Sequence, residues 1–292
     1  MRTLNQVIDW LRSHRIINLL FALAYFLFIL FMHDPLVHLS LWVEKNLSLP
    51  VYNSVVAAIF ILILFILLFF LQKKLRLKNE NRKLQLFYLS ITIAFIIIHS
   101  RFMFDSNIEV IHSFEFTFLA FLLFAFTKRF SAAIFFTLPF MIVDEWYQYI
   151  ILYPQQNDYF DLNDILMDTY GCGLAMTVLF ILGLKGSETI AAFWKRSEFI
   201  SLLVLTTAIL IAAKLCLIVP YTNETCSNTL LVINEGVTYE PFWRLHPAHN
   251  IWFHVMKPLE GLLAIFTLHF FYFGLDSFRK NRTPPLLAGS TS

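Results

Sequence analysis

The sequence predicts an all-α fold: a polytopic transmembrane helical bundle of about eight spans, with N- and C-termini cytoplasmic. Three observations predict it: long unbroken apolar runs, a scarcity of charge, and a one-sided distribution of lysine and arginine. Of the 292 residues, 58% are hydrophobic and only 14% charged, whereas a soluble domain carries about 25% charged residues. Runs of 18 or more apolar residues are the mark of membrane-crossing helices. No strand-like alternation accompanies them, and in lipid a helix satisfies its own backbone groups.

The spans fall at roughly 16–33, 51–72, 84–100, 110–127, 131–152, 162–184, 198–220 and 251–275. Arg2, Arg12 and Arg15 precede the first apolar run, Ile16 to Met32, and no small-residue cleavage pattern follows it. It reads as an uncleaved span. With the N-terminus inside, all but five of the 22 Lys and Arg fall on the cytoplasmic side. Lys45, Arg101 and Arg244 lie outside, and Lys214 and Lys257 lie within spans. That asymmetry follows the positive-inside rule. The outward segments are then 34–50, 101–109, 153–161 and 221–250.

The net charge of +2 and the absence of a basic soluble fold exclude nucleic-acid binding. Cys172, Cys216 and Cys226 lack metal-type spacing and, being odd in number, give no disulfide framework; they read as small apolar residues. Asn46-Leu47-Ser48 and Asn223-Glu224-Thr225 match the glycosylation sequon, a motif short enough to arise by chance. Residues 1–84 hold two spans and a basic loop, 85–184 a four-helix core, and 185–292 two further spans with a long outer loop.

Ionisable residues inside a span are costly and usually face the bundle interior or a wet cavity. The fourth span opens with His112 and Glu115, three apart on one face. The fifth carries Asp144, Glu145 and Gln148, with Glu145 on the order of 12 Å from its outer end. The sixth begins with Asp161, Asp164 and Asp168, one stripe along a helix, and Gly171 and Gly173 near that stripe invite close helix packing. A helix-capping role competes for Asp161. His112, Glu115, Asp144, Glu145, Gln148, Asp164 and Asp168 are the candidate catalytic residues. So many carboxylates near one membrane face repel unless protons, a cation or basic partners offset them. Lys214 near the outer end of the seventh span, and His254, Lys257 and Glu260 repeating every three residues at the start of the eighth, are the candidate substrate-binding partners beside Asp161. A snorkelling Lys214 and an internal Lys257–Glu260 pair are the bland alternative. His246 and His249 are three apart in the last outer loop, yet no His-Glu-x-x-His or comparable signature occurs, so no metal site is expected. No phosphate loop or nucleophile elbow is present either, and acid–base work by carboxylates and His112 is the more economical enzyme model.

Residues 85–184 resemble the VanZ-like family of bacterial membrane proteins. His112, Glu115 and Phe116 match its His-Glu-aromatic helix start. Glu145 and Gln148 match its acidic-x-x-Gln element, and Asp164, Asp168 and Gly171 its Asp-led final helix. Phe116 stands where Tyr is common, Asp168 where Asn is common, Gln155-Gln156-Asn157 where a Pro-Gly-Arg turn is common, and Ala175 where a Gly is usual. The founding member is associated with low-level resistance to the glycopeptide teicoplanin; a settled biochemical activity is not implied, and whether the chain is an enzyme stays open.

The leading expectation is a site that binds or modifies an amphiphilic, lipid-linked molecule of the cell envelope, in a bacterial cytoplasmic membrane. The alternatives are a transporter or flippase using the same carboxylates, and a non-catalytic membrane scaffold. The expected partner is a membrane lipid or lipid-linked envelope precursor; cofactors and protein partners are unspecified. The topology makes a prediction: a reporter active only in the cytoplasm should be active when fused after Ser292, and inactivity there would reverse the orientation.

Overall fold

The computed structural model describes residues 2–76, 81–104, 107–153, 159–184, 186, 193–221, 229–234, 242–245 and 252–277. Gln155-Gln156-Asn157, Asn223-Glu224-Thr225, Cys226, His246 and His249 lie outside them. The chain is mostly helical, and among the described residues seven helices are long and apolar enough to cross a membrane. α1 (Arg2–Ser13) is a short amphipathic helix ahead of α2 (Arg15–Leu47) and α3 (Leu49–Arg76). α4 (Arg82–Phe102) leads through a 3₁₀ turn (Asn107–Ile111) to α5 (His112–Glu115) and α6 (Thr117–Thr127). Then come α7 (Phe130–Tyr147), a π-helical turn (Gln148–Leu152), α8 (Leu162–Ile181), α9 (Ser197–Lys214) and α10 (Pro258–Ser277).

Several boundaries differ from those read in the sequence, each for a local reason. α2 continues past 33 and through Pro35 to Leu47. Its 33 residues reach about 50 Å, well beyond the ~30 Å hydrocarbon core. Its second half is held by a Ser40–Tyr52 hydroxyl contact to α3, so 34–47 is helix and not loop. The seventh span stops at Lys214, where Cys216 takes φ 57° and the chain turns into β1 (Ile218–Tyr221). Cys216 is disulfide-bonded, which corrects the reading of all three cysteines as isolated apolar residues. The bond fits an oxidising, non-cytoplasmic side. Cys172 is free and buried. α10 starts at Pro258 and not near 251, because the residue before a proline disfavours helix and Pro258 suits a first turn. α7, the fifth span of the sequence reading, has 18 residues. It is not one of the seven apolar helices, since Asp144-Glu145 break its apolar run.

The segments between α9 and α10 pair as two small ribbons. β1 runs parallel to β2 (Leu231–Asn234), with Ile218 opposite Leu231. β3 (Arg244–Leu245) runs antiparallel to β4 (Trp252–Phe253). They tie down neighbouring elements: Phe160 N–H donates to Ile233 O at 2.7 Å, and His254 N–H to Phe102 O at 2.9 Å.

α8 is the axis of the bundle, packed by α4, α5, α6, α7 and α10, and only Tyr170, Ala175 and Val178 among its residues escape full burial. Its glycines serve two different neighbours. A Cβ at Gly171 would lie 1.8 Å from Ser113 O, so the α5 backbone rests directly on α8. A Cβ at Gly173 would lie 2.0 Å from Tyr272 Cζ of α10. Backbone at the first site cannot step aside as a flexible side chain can. Gly171→Ala is therefore expected to cost at least about 2 kcal/mol and lower the melting temperature of the purified protein by several degrees. An unchanged melt would mean that α5 is free to move away from α8.

Candidate functional site

The site forms where the break between α5 and α6 meets the start of α8. A turn at Phe116 (φ −89°, ψ −3°) separates α5 from α6, and Phe116 O accepts Ala120 N–H at 2.9 Å; carbonyls here also take donors from other helices. Tyr25 Oη–H of α2 donates to Glu115 O at 2.9 Å, and Cys172 Sγ–H of α8 to Phe116 O at 3.4 Å. This arrangement presses His112, the first residue of α5, against the first two turns of α8.

His112 is 3% exposed and surrounded by carboxylates. Its Nδ1 lies 3.2 Å from Glu115 Oε2 and 3.6 Å from Asp168 Oδ1, and its Nε2 lies 3.6 Å from Glu109 Oε2 and 3.7 Å from Asp164 Oδ2. Asp144 and Glu145 enter from the end of α7, both buried. Gln148, the first residue of the π-helical turn, donates its Nε2–H to Asp144 Oδ2 at 3.0 Å. Glu145 Oε1 accepts from the Asp161 backbone N–H at 2.7 Å, tying α7 to the head of α8. Asp161 is the N-cap of α8, its Oδ1 accepting from Asn163 N–H at 2.8 Å.

The polar demand of this cluster is not met internally. Among the described residues, His112 Nδ1, Glu115 Oε2, Asp144 Oδ1, Glu145 Oε2, Asp164 Oδ1 and Asp168 Oδ1 are buried with no hydrogen-bond partner. One imidazole also cannot offset four carboxylates.

The cationic partners expected from the sequence do not come to the cluster. Lys214 is exposed at the end of α9 and forms no ion pair with it among the described residues. Lys257 contributes its backbone N–H to Glu260 Oε2 at 3.1 Å. His254 precedes α10, so it does not share a helical face with Lys257 and Glu260. Instead its ring stacks on Phe242 with centroids 3.9 Å apart, and Nε2 lies 3.0 Å from Glu260 Oε2. The nearest link from this pair to the cluster is Asn163 Nδ2–H, which donates to His254 O at 3.4 Å.

Two participants were missed in the sequence. Glu109 stands three residues before His112, the same spacing that flagged Glu115, but fell in the segment read as a loop. His33 of α2 is buried with its ring 6.3 Å from that of His112 and 6.2 Å from Tyr153, a long-range juxtaposition that no local pattern announces. Tyr153 donates to Asp34 Oδ1 at 3.2 Å. Burial, reinforced by Asp34, pushes its phenol up to about 12, so it stays a protonated donor at neutral pH.

The opposite end of α7 carries a second polar group, unforeseen in the sequence. Asp276 of α10 accepts from Phe130 N–H at 2.9 Å and Ser131 N–H at 2.8 Å, capping α7 across the helix interface. Arg129 pairs with the fully buried Glu198 at 2.7 Å.

These features define a class: a helical bundle with membrane-length apolar helices and a buried acid–histidine cluster at one end. Comparison with protein-family models, with curated proteins and with solved structures returned no match. The VanZ-like resemblance therefore rests on the residues quoted for it.

Glu145 yields a stability prediction. Glu145→Ala leaves the Asp161 N–H unpaired and is expected to cost about 1–3 kcal/mol, while Glu145→Gln keeps an acceptor and stays within about 1 kcal/mol of wild type in thermal unfolding. Equal losses in both variants would show that the carboxylate charge itself holds the fold.

Proposed function

We propose that this chain is a VanZ-like membrane protein whose outward-facing cluster binds or modifies the polar head of an amphiphilic, lipid-linked envelope molecule in a bacterial cytoplasmic membrane. The observation that carries the reading is His112, held among four carboxylates at one end of the bundle. Side-chain accessibility falls from 33% at Glu109 through 14% at Glu115 and 13% at Asp164 to 3% at Asp168. The cluster is thus graded from an accessible rim to a dry floor, as a site admitting a polar head from one side requires. In the acid–base version Glu145 or Asp164 is the general acid or base, His112 assists beside Asp164, and Gln148 orients the substrate.

The two alternatives account for less. A transport path needs polar groups through the bundle, but α6, residues 132–143 of α7 and α8 beyond Asp168 carry no Asp, Glu, Lys or Arg. A structural tie would be expected to satisfy its own polar atoms; here several buried oxygens lack partners, each costing about 1–3 kcal/mol.

Envelope lipidomics of cells lacking the protein, complemented with wild type, Glu145→Gln or Asp164→Asn at matched membrane levels, tests the reading. One amphiphile should accumulate in the null and in both variants. Normal lipids with full complementation by both variants would sink it in favour of a scaffold.

A further inference from the structure

The unpartnered atoms of the cluster are arranged, not scattered. His112, Glu115 and Asp168 each offer a ligand atom within 4.8 Å of the other two, and His112 Nδ1, Glu115 Oε2 and Asp168 Oδ1 are buried without a hydrogen-bond partner. The separations from Nδ1, 3.2 and 3.6 Å, are long for good hydrogen bonds. They are instead the spacing of atoms sharing one ion: ligands about 2.0–2.1 Å from a tetrahedral centre stand about 3.3–3.4 Å apart.

The independent pointer to a ligand is His112. Its imidazole is buried to 3% exposure, and Nδ1 is aimed between two carboxylates at 3.2 and 3.6 Å with no directed hydrogen bond to either. Its other nitrogen faces Glu109 and Asp164 at 3.6 and 3.7 Å. This is the division of labour in histidine-ligated metal sites, where one nitrogen binds the ion and the other is oriented by an outer carboxylate.

We propose that His112 Nδ1, Glu115 Oε2 and Asp168 Oδ1 bind one divalent transition-metal ion of the Zn²⁺ or Mn²⁺ type. Mixed imidazole and carboxylate ligation favours such ions over Ca²⁺ or Mg²⁺. The ion's two charges offset Glu115 and Asp168, which neither Lys214 nor Lys257 reaches. Three protein ligands leave a fourth position open, as in catalytic metal sites. Occupation of that position by a headgroup oxygen, phosphate or carboxylate, rests on the function proposed above; the ion itself does not.

The test uses the full chain with a histidine-free affinity tag, purified into nanodiscs, stripped with chelator, loaded with Zn²⁺ or Mn²⁺ and desalted. Elemental analysis should find one ion per chain. His112→Ala and Asp168→Asn should each weaken binding at least about tenfold, and the partly accessible Glu115→Gln provides a ligand variant less prone to misfolding. Exposed His38→Ala should match wild type. X-ray absorption of the loaded wild-type protein, which needs no variant, should show one imidazole nitrogen among oxygens at about 2.0–2.1 Å. No retained ion, a shell without imidazole, or unchanged binding in folded ligand variants would overturn the site. Because no lipid is present, such a failure leaves the headgroup reading standing, while metal binding with normal lipids in the complementation experiment would retain the ion and discard the headgroup.

Discussion

A carboxylate taken out of water costs several kcal/mol unless a partner replaces its hydration, and α8 buries two of them, Asp164 and Asp168, within its first two turns. The surrounding structure is organised by that cost. α5 must bring His112 close enough to share charge with both, and Gly171 permits it by letting the Ser113 carbonyl lie where a side chain would otherwise begin. The turn at Phe116 lies beside the same approach: Glu115 O is bonded by Tyr25 of α2, while Phe116 O accepts Ala120 N–H of α6 and also Cys172 Sγ–H of α8. Gly173 repeats the device on the Tyr272 side, where Thr92 Oγ1 and Tyr272 Oη pair at 2.9 Å and bind α4 to α10. A single close contact thus couples the backbone path of three helices to the electrostatics of the cluster.

The helices were legible in the sequence because apolar length is a local property, and the acidic candidates because a charged residue in a span is conspicuous. Their meeting was legible in part: spacings of three and four residues placed His112 with Glu115 and set Asp164 and Asp168 on one stripe. What was hidden depended on the chain leaving a simple pattern. Helix α2 passes through Pro35, so His33 could not be recognised as a wall of the site. Pro258 delays α10, so His254 and Lys257 precede the helix. Cys216, the residue after the C-cap Leu215 of α9, takes a positive φ, which hands residues 218–221 to a strand. In each case a single residue overrides a hydropathy profile that averages over many.

The two ends of α7 illustrate how differently buried acids are treated. At its start, Asp276 receives two backbone N–H groups and the Ser131 hydroxyl, and Glu198 meets Arg129. These acids have their partners and complement the positive end of a helix dipole. At its far end, Asp144 and Glu145 each bond through one oxygen while the other lacks a partner. The same chain satisfies its carboxylates fully where the need is structural. Its failure to do so around His112 sets that cluster apart from a brace, since a group of buried carboxylate oxygens without partners calls for a proton, a water, an ion or a ligand.

That contrast also bears on what kind of occupant fits. A phosphate-bearing head brought directly to Glu115, Asp164 and Asp168 would meet like charge with no lysine or arginine paired to those three side chains among the described residues. Where protons do not neutralise the cluster, an occupant must arrive with positive charge or bind through something that carries it. A neutral headgroup would leave the excess of acid uncorrected, and a lone cation would correct it without explaining the graded opening from Glu109 inward. A divalent ion on the His112–Glu115–Asp168 face, with an anionic head on its outer side, satisfies both the charge deficit and the accessible rim. The acidity of the cluster, which first argues against an anionic lipid, becomes under the proposed function the means of holding one.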